Sequence, residues 1–358
     1  MISRIVFTVA LVAAGLGSAA TGAQAAVPDR WGFALVDVPS GVPNLTYQAG
    51  SWPGGFNVTV APGGMIGQTY VTFPQIASRR GVVHVTAVSD APVWCQIQKW
   101  GPSGLDQVAV VQCYHYGGQP TFTPFSIVFA ESSGVLPLWS ETFGTVFWNG
   151  SSIGSQYNSM GAVNTVVPTG AGQWLVTLPG LGSATAAGNV QVTAVDSNRP
   201  ARCKVGKWSS ASTAQQVLVV CHDAVDRPYD TGWTLTYERR RAVTGAANPP
   251  RNFAYTFDHD YTNPGPYVPA PAEINYNSQG AVNTVQSAGV GQRLVIFPAV
   301  GVRQTNVQVT AYGPDPYYCN LLVPWISSGS TTYVRNVVCY KGTSRVDQPS
   351  LVTHLSAY

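Results

Sequence analysis

The sequence predicts an all-β protein made of three tandem antiparallel β-sandwich repeats, each with one intra-repeat disulfide. One pattern of residues occurs three times along the chain, short apolar runs alternate with a period of two, and every copy of the pattern contains two cysteines. The 37 glycines and 26 prolines among the 358 residues are typical of many short strands separated by turns. No stretch of a dozen residues has the periodicity of an amphipathic helix.

Each copy contains the same landmarks in the same order. A string that begins with Gly-Gln starts at Gly67, Gly172 and Gly291. A Val-Thr-Ala follows it, starting at Val85, Val192 and Val309. The first cysteine is followed five or six residues later by a tryptophan, and these tryptophans, expected to fill the three cores, are Trp100, Trp208 and Trp325. A large apolar residue stands 12 positions after the second cysteine, at Phe125, Trp233 and Leu351. We interpret the chain as three diverged copies of one domain.

Strands are predicted from β-branched and aromatic runs bounded by turn residues. In the first copy these runs lie at 69–73, 82–88, 96–100, 108–112 and 125–129. We expect six or seven antiparallel strands per copy, packed as two sheets.

Polar or Pro/Gly-rich segments separate the copies. The expected segments are a signal peptide at 1–26, repeat 1 at 27–136, repeat 2 at 137–247 and repeat 3 at 248–358. The signal peptide is predicted from Arg4, the apolar stretch Ile5 to Leu16 and the small residues Ala23 to Ala25. No later segment is long and apolar enough to span a bilayer. The expected location is therefore extracellular, without a transmembrane segment, and the run Arg239 to Arg241 is interpreted as a solvated linker.

Six cysteines in a secreted chain allow 15 pairings, and the repeat selects one of them. The predicted disulfides join Cys95 with Cys113, Cys203 with Cys221, and Cys319 with Cys339. Each would clamp the open end of a hairpin, which in repeat 1 is expected to turn at 101–104.

Charge and motifs argue against several function classes. A formal net charge of +3 is too small for a nucleic-acid clamp. The string at 150–154 matches G-x-S-x-G, but no helix follows it, as a serine hydrolase would require. Asp258 and Asp260, on either side of His259, are weak candidates for metal ligands, and a solvated turn is the favoured interpretation. No catalytic residue and no cofactor are predicted.

The candidate ligand-binding residues are aromatics that at least one other copy lacks, so the shared core does not require them. They are Trp52, Trp94, Trp148, Tyr114, Tyr116, Tyr317 and Tyr318. Exposed aromatics on a sandwich stack on sugar rings or anchor protein partners. Packing between neighbouring repeats is an equally good interpretation.

The string Tyr157 to Val166, followed by Gly188 to Ala194 and by Cys203 with Trp208, resembles a family of secreted bacterial tandem β-repeat proteins, frequent in actinobacteria. The resemblance covers nearly the whole chain after the signal peptide, and repeat 2 matches best. It implies an extracellular all-β repeat protein and carries no catalytic residue across.

The favoured function is a secreted, non-catalytic, multivalent binding or adhesion protein that recognises an extracellular glycan, a cell-wall polymer or a surface protein. One alternative is a structural or coat component of an extracellular assembly. Another is an enzyme with its site in one diverged repeat, around His259. The oligomeric state and the ligand stay open at this stage.

Overall fold

The structure is a computed structural model that describes residues 29–132, 141–246 and 250–358. The predicted signal peptide and both predicted repeat boundaries lie outside these ranges. Within them, the only helical elements are two single turns of 3₁₀ helix, η1 (Leu45–Tyr47) and η2 (Ala272–Ile274). No helix in the described part of the chain is long and apolar enough to cross a membrane.

The strands fall into three groups that follow the three sequence repeats. Repeat 1 contains β1 (Arg30–Val36), β2 (Gln48–Gly50), β3 (Thr59–Pro62), β4 (Gln68–Phe73), β5 (Val82–Ala87), β6 (Val93–Ser103), β7 (Asp106–His115), β8 (Pro120–Thr121) and β9 (Phe125–Glu131). Repeat 2 contains β10 (Thr142–Trp148), β11 (Ile153–Asn158), β12 (Thr165–Gly170), β13 (Gln173–Pro179), β14 (Asn189–Val195), β15 (Ala201–Ala211), β16 (Ala214–Asp223) and β17 (Gly232–Arg239). Repeat 3 contains β18 (Phe253–Asp258), β19 (Asn275–Asn277), β20 (Thr284–Gly289), β21 (Gln292–Phe297), β22 (Thr305–Ala311), β23 (Tyr318–Leu321), β24 (Ile326–Ser328), β25 (Thr331–Lys341), β26 (Ser344–Arg345) and β27 (Ser350–Ser356).

Each repeat is a sandwich of two four-stranded antiparallel sheets with the same strand order. The first sheets are β2-β1-β9-β5, β11-β10-β17-β14 and β19-β18-β27-β22. The second sheets are β3-β4-β7-β6, β12-β13-β16-β15 and β20-β21-β25-β23. The short strand β8 also pairs with β7, and β24 and β26 pair with β25. A parallel contact between β14 and β6 joins the first sheet of repeat 2 to the second sheet of repeat 1 in one nine-stranded sheet. The predicted fold class is therefore confirmed. Eight strands form the shared framework of each sandwich, rather than the six or seven expected, and repeats 1 and 3 add one and two short strands to it. The runs predicted for repeat 1 did not include its first three strands.

The three predicted disulfides are present and each joins residues directly opposite one another in a hairpin. Cys95 faces Cys113, Cys203 faces Cys221 and Cys319 faces Cys339. In repeat 1 the hairpin turns later than expected, at Gly104 and Leu105, because Gly101 and Pro102 still pair with β7.

One landmark of the repeat is out of register in the third copy. Phe125 pairs with Ala87 and Trp233 with Ala194, but Ala311 pairs with Ser350. Leu351 is therefore displaced by one residue, and since successive side chains of a strand point to opposite faces, it leaves the core of its own repeat. It packs instead in the hydrophobic cluster of repeat 2.

The shared tryptophans do not all fill cores. Trp208 and Trp325 are buried, as expected. Trp100 is only half-buried, and its ring packs 4.5 Å from that of Phe147 in repeat 2. Trp100 packs against the edge of the repeat 1 core rather than filling it, because this end of β6 also lies against repeat 2.

The three repeats close into a ring around a pseudo-threefold axis. β5, β14 and β22, which carry the Val-Thr-Ala strings, contact one another pairwise at its centre. The hydroxyl of Thr86 donates to Gln308 at 2.9 Å, and that of Thr310 donates to Gln191 at 2.9 Å. The third contact of this cycle joins Thr193 and His84 at 3.2 Å. Each threonine also accepts from a backbone N–H of the adjacent repeat, at 3.0 to 3.4 Å.

A second cycle, made by the backbone alone, surrounds the first. Ser89 donates to the carbonyl of Leu321, Gly313 to that of Val205, and Asp196 to that of Ile97, at 2.8 to 2.9 Å. At each of these points a first sheet meets the second sheet of an adjacent repeat through a short parallel contact. All three pairs of repeats are therefore in contact, and the repeats form a closed ring rather than a linear array.

Candidate functional site

The ring forms clefts where the last strand of one repeat meets the second strand of another. The end of β27 and strand β2 border a cleft of about 350 Å³ between repeats 3 and 1. The end of β17 and strand β19 border a related cleft of about 330 Å³ between repeats 2 and 3. We call them the neutral cleft and the basic cleft, because they differ in charge.

The neutral cleft is lined by aromatic rings and amides. Its rings come from Trp31, Trp52, Phe56 and Tyr358. Phe56 and Tyr358 are exposed by 46% and 62%, so their surfaces are available to a ligand. No charged side chain is among the described residues that line this cleft.

Trp52 is positioned by two glycines and by its own loop. Gly32 and Gly50 face each other on β1 and β2, and a Cβ at Gly50 would lie 1.9 Å from the indole ring. The indole Nε1 donates to the carbonyl of Phe56 at 3.1 Å, across the turn at Gly54 and Gly55. The sequence thus places a tryptophan where only glycines leave room for it, and the ring stays half-buried at the cleft.

The polar groups of the neutral cleft divide into fixed and available ones. Gln48 is buried, donates to Pro43 O at 2.7 Å and accepts from Val58 N at 2.7 Å, so it braces the cleft wall. Asn57 is exposed and Gln304 half-exposed, and their amides can both donate and accept hydrogen bonds. Aromatic faces beside neutral amides are suited to an uncharged, hydroxyl-rich ligand.

The basic cleft contains Arg239, Arg240, Glu273 and the half-buried ring of Tyr276. Burial raises the pKa of the Tyr276 hydroxyl, and the nearby charge of Arg240 opposes that rise. Two arginines against one glutamate give this cleft a positive balance that the neutral cleft lacks.

The arginine run beside this cleft is not the solvated linker that the sequence suggested. Arg240 is exposed, but Arg241 is buried, pairs with Glu141 at 3.3 Å and donates to Gly245 O at 2.6 Å. The run turns inward because Ala242 and Val243, which follow it, pack in a hydrophobic cluster with residues of repeats 1 and 3.

Five of the seven predicted binding aromatics gather at the ring axis. The rings of Trp94 and Tyr318 lie 5.7 Å apart, and the guanidinium of Arg202 lies 4.9 Å from each of them. Tyr114 packs on Trp94, and Tyr116 flanks Arg202 at 5.9 Å. Tyr317, the fifth, lies 5.1 Å from Lys204.

Arg202 is held in this cluster by an ion pair. It contacts the carboxylate of Asp226 and donates to Asp223 O at 2.8 Å. Burial lowers the pKa of Arg202 to about 10, while Tyr318, Tyr116 and Asp223 oppose the shift, so the guanidinium is charged at neutral pH. Trp94, Tyr114 and Tyr318 are buried, and packing between repeats explains their presence.

The remaining candidates lie apart. Trp148 is buried in the core of repeat 2, with its ring 6.3 Å from that of Trp233. Asp258 is buried and accepts from Arg293 at 2.8 Å and from the hydroxyl of Tyr267 at 2.5 Å, which leaves its oxygens occupied. Asp260 accepts from Asn263 at 3.0 Å. The described residues contain no group of three His, Cys, Asp or Glu able to hold a metal ion.

The residues that sequence reasoning missed are Arg202 and Lys204. An alignment on the first cysteine of each copy would have found them, because Arg202 immediately precedes Cys203 as Trp94 precedes Cys95. The same alignment places Lys204 immediately after that cysteine, where repeats 1 and 3 have amides.

Comparison of the chain with family models, with curated proteins and with solved structures finds no match. The resemblance to secreted bacterial repeat proteins stays a prediction.

Proposed function

We propose that the protein is a secreted, non-catalytic binding protein and that its principal site is the neutral cleft between repeats 3 and 1. The ligand is a neutral segment of an extracellular polysaccharide. The observation that carries the proposal is the lining of this cleft, in which Trp52, Phe56 and Tyr358 stand beside uncharged amides.

The ligand class follows from the chemistry of the lining. Sugar rings present apolar C–H faces to aromatic rings and hydroxyls to amides, and neither contact requires a charge. The cleft volume of about 350 Å³ is at the lower end of the range for small-molecule sites, which suits one or two sugar units of a longer chain. Three disulfides, one per repeat, fit an extracellular location.

The proposed binding is multivalent, but its two sites differ in the charge of the polymer segment that they would bind. The basic cleft occupies a related place in the ring but presents Arg239 and Arg240, so it would favour an acidic segment of polymer. Two unlike clefts in one ring suit a polymer of mixed composition, since the second contact forms at a raised effective concentration.

Binding to insoluble chitin, cellulose and peptidoglycan, and to soluble neutral glucans, tests the proposal. We expect the wild-type protein to bind at least one of them and Trp52→Ala to lose at least tenfold in affinity. Trp100→Ala is the matched control, because Trp100 is another half-buried tryptophan that lies between repeats 1 and 2. Equal loss in both variants, or no binding to any neutral polymer, would contradict the neutral cleft as the site.

A further inference from the structure

A small cavity of about 50 Å³ lies beside the ring axis, lined by residues of all three repeats. The three Val-Thr-Ala strings form one side of it, and the residues around Cys95, Cys203 and Cys319 form the other. Lys204 is the one lining side chain whose terminal polar atom is both buried and without a hydrogen-bond partner among the described residues.

The equivalent residues of the other repeats explain why Lys204 is unusual. Gln96, in repeat 1, donates to the carbonyls of Asp196 and Arg199 in repeat 2, both at 2.8 Å. Asn320, in repeat 3, donates to the carbonyl of Val93 in repeat 1 at 2.6 Å. Each amide thus ties its repeat to the next one around the ring, and Lys204 makes no such bond to repeat 3.

The charges around Lys204 do not neutralise it by contact. Its Nζ lies over the ring of Tyr317 at 5.1 Å, and Lys341 approaches the same ring at 5.5 Å. Arg202, two residues away, adds a further positive charge and already occupies Asp226. Asp315 attracts Lys204 but is exposed to solvent. Burial lowers the pKa of Lys204 to about 7, and Arg202 lowers it as well.

We propose that this axial cavity binds one small monovalent anion of halide size, with the Lys204 ammonium as its charged partner. A lysine ammonium only donates hydrogen bonds, so an acceptor must satisfy it. A volume of about 50 Å³ has room for a single halide ion, since about 10–15 Å³ is enough to hold one water. The anion takes the place of the backbone carbonyls that Gln96 and Asn320 contact, and it completes the third tie of the ring.

Thermal unfolding in sodium bromide and in sodium gluconate, at equal ionic strength and at pH 6.5, tests this inference. A ligand that binds only the folded state raises the melting temperature with its concentration. We expect the wild-type Tm to rise with bromide concentration, relative to gluconate. We expect Lys204→Gln to show no such rise. Glutamine is the residue of repeat 1 at this position, which makes the variant compatible with the ring.

Anomalous diffraction from crystals grown in bromide locates the ion. A peak beside Lys204 in the wild type that is missing in Lys204→Gln supports the site. A bromide-independent Tm with no axial peak overturns it and identifies the occupant as water. An equal peak in both proteins also overturns it and identifies an adventitious ion only. Should Lys204→Gln fail to fold, Lys204→Met replaces it, and the wild-type peak still decides.

Discussion

At the centre of the ring, threonines at the same position of the three repeats each contact the adjacent repeat, whereas at the rim the neutral and basic clefts differ in charge. Thr86 and Thr310 each donate to a glutamine of the adjacent repeat, and Thr193 contacts His84 at the equivalent place. The neutral and basic clefts share their bordering strands but not their side chains. Residues shared by all copies hold the ring closed, and residues that differ give its rim distinct chemistry.

The axis is also a place where copies must differ. On an exact threefold axis, a residue would meet two copies of itself, so three arginines would repel one another. Here Trp94, Arg202 and Tyr318 occupy the position before the first cysteine, and the cation lies between two aromatic faces. Divergence at the axis therefore improves packing, whereas divergence at the rim changes what can bind.

The largest expected effect is a difference in stability between alanine variants of Trp94 and Trp52, two tryptophans that the sequence predicts equally as ligand-binding residues. Trp94 is 4% exposed and its indole donates to Ala201 O at 3.0 Å, so Trp94→Ala should lower the free energy of unfolding by about 3–5 kcal/mol. Trp52→Ala, at the half-buried cleft, should cost about 1–2 kcal/mol. Urea denaturation of both variants measures the difference, and equal losses would show that the axis is no more critical than the rim.

The next effect concerns pH and the one histidine of the axis cycle. Burial lowers the pKa of His84 to about 3, against 6.5 in the unfolded chain. Between these values only the unfolded state binds the proton, so the stability of the fold falls as the pH drops from 6.5 toward 3, by roughly 1.4 kcal/mol per pH unit for this group.

His84→Gln should remove this contribution, and glutamine is the residue that repeats 2 and 3 have at the equivalent position, Gln191 and Gln308. The difference in free energy of unfolding between the variant and the wild type should therefore be about 3 kcal/mol more favourable to the variant at pH 4 than at pH 7. His354, buried with a pKa also lowered to about 3, provides the matched comparison, because it lies in the core of repeat 3 rather than in the cycle. A pH dependence of unfolding that His84→Gln leaves unchanged would contradict a neutral, buried His84.

The smallest expected effect on stability comes from removing one threonine hydroxyl from the cycle of contacts between repeats at the ring axis. Thr310→Val removes a donor to Gln191 and an acceptor for the N–H of Val192, and should cost about 1–3 kcal/mol. Thr165→Val, at an exposed position of β12, is the control and should change stability by less than about 0.5 kcal/mol. Chemical denaturation that finds the two variants equally stable would show that the cycle adds no stability.

The sequence was sufficient for the fold class and the disulfides, because both follow from local spacing. Period-two runs and paired cysteines recur within each copy, and the structure confirms them. The displacement of Leu351 was not predictable from spacing, because Leu351 keeps the same distance of 12 residues from the second cysteine as Phe125 and Trp233. In repeat 3 the residue that pairs with the alanine of Val-Thr-Ala instead comes 11 residues after that cysteine, and only the pairing reveals this shift of one residue.

The site was less predictable, because ring closure is a long-range property. Aromatics absent from other copies met the criterion for ligand binding, yet Trp94 and Tyr318 differ between copies because they contact each other at the axis. Trp52 satisfied the same criterion and lies in an open cleft. Nothing local distinguishes these cases, since three partners of Trp94 lie in the other two repeats, more than 100 residues away in the sequence: Ala201, Arg202 and Tyr318.

Ring closure also sets an order of events during biosynthesis. The chain connects repeat 1 to repeat 2 and repeat 2 to repeat 3, but the contact between repeats 3 and 1, such as that of Tyr47 with Trp325 at 3.0 Å, has no such connection. Synthesis at about 5–20 residues per second separates the end of β9 from the end of β27 by roughly 11 to 45 seconds. For that interval Trp94 and Val88 lack their repeat 3 partners, so a newly made chain exposes an apolar edge until its last strand arrives.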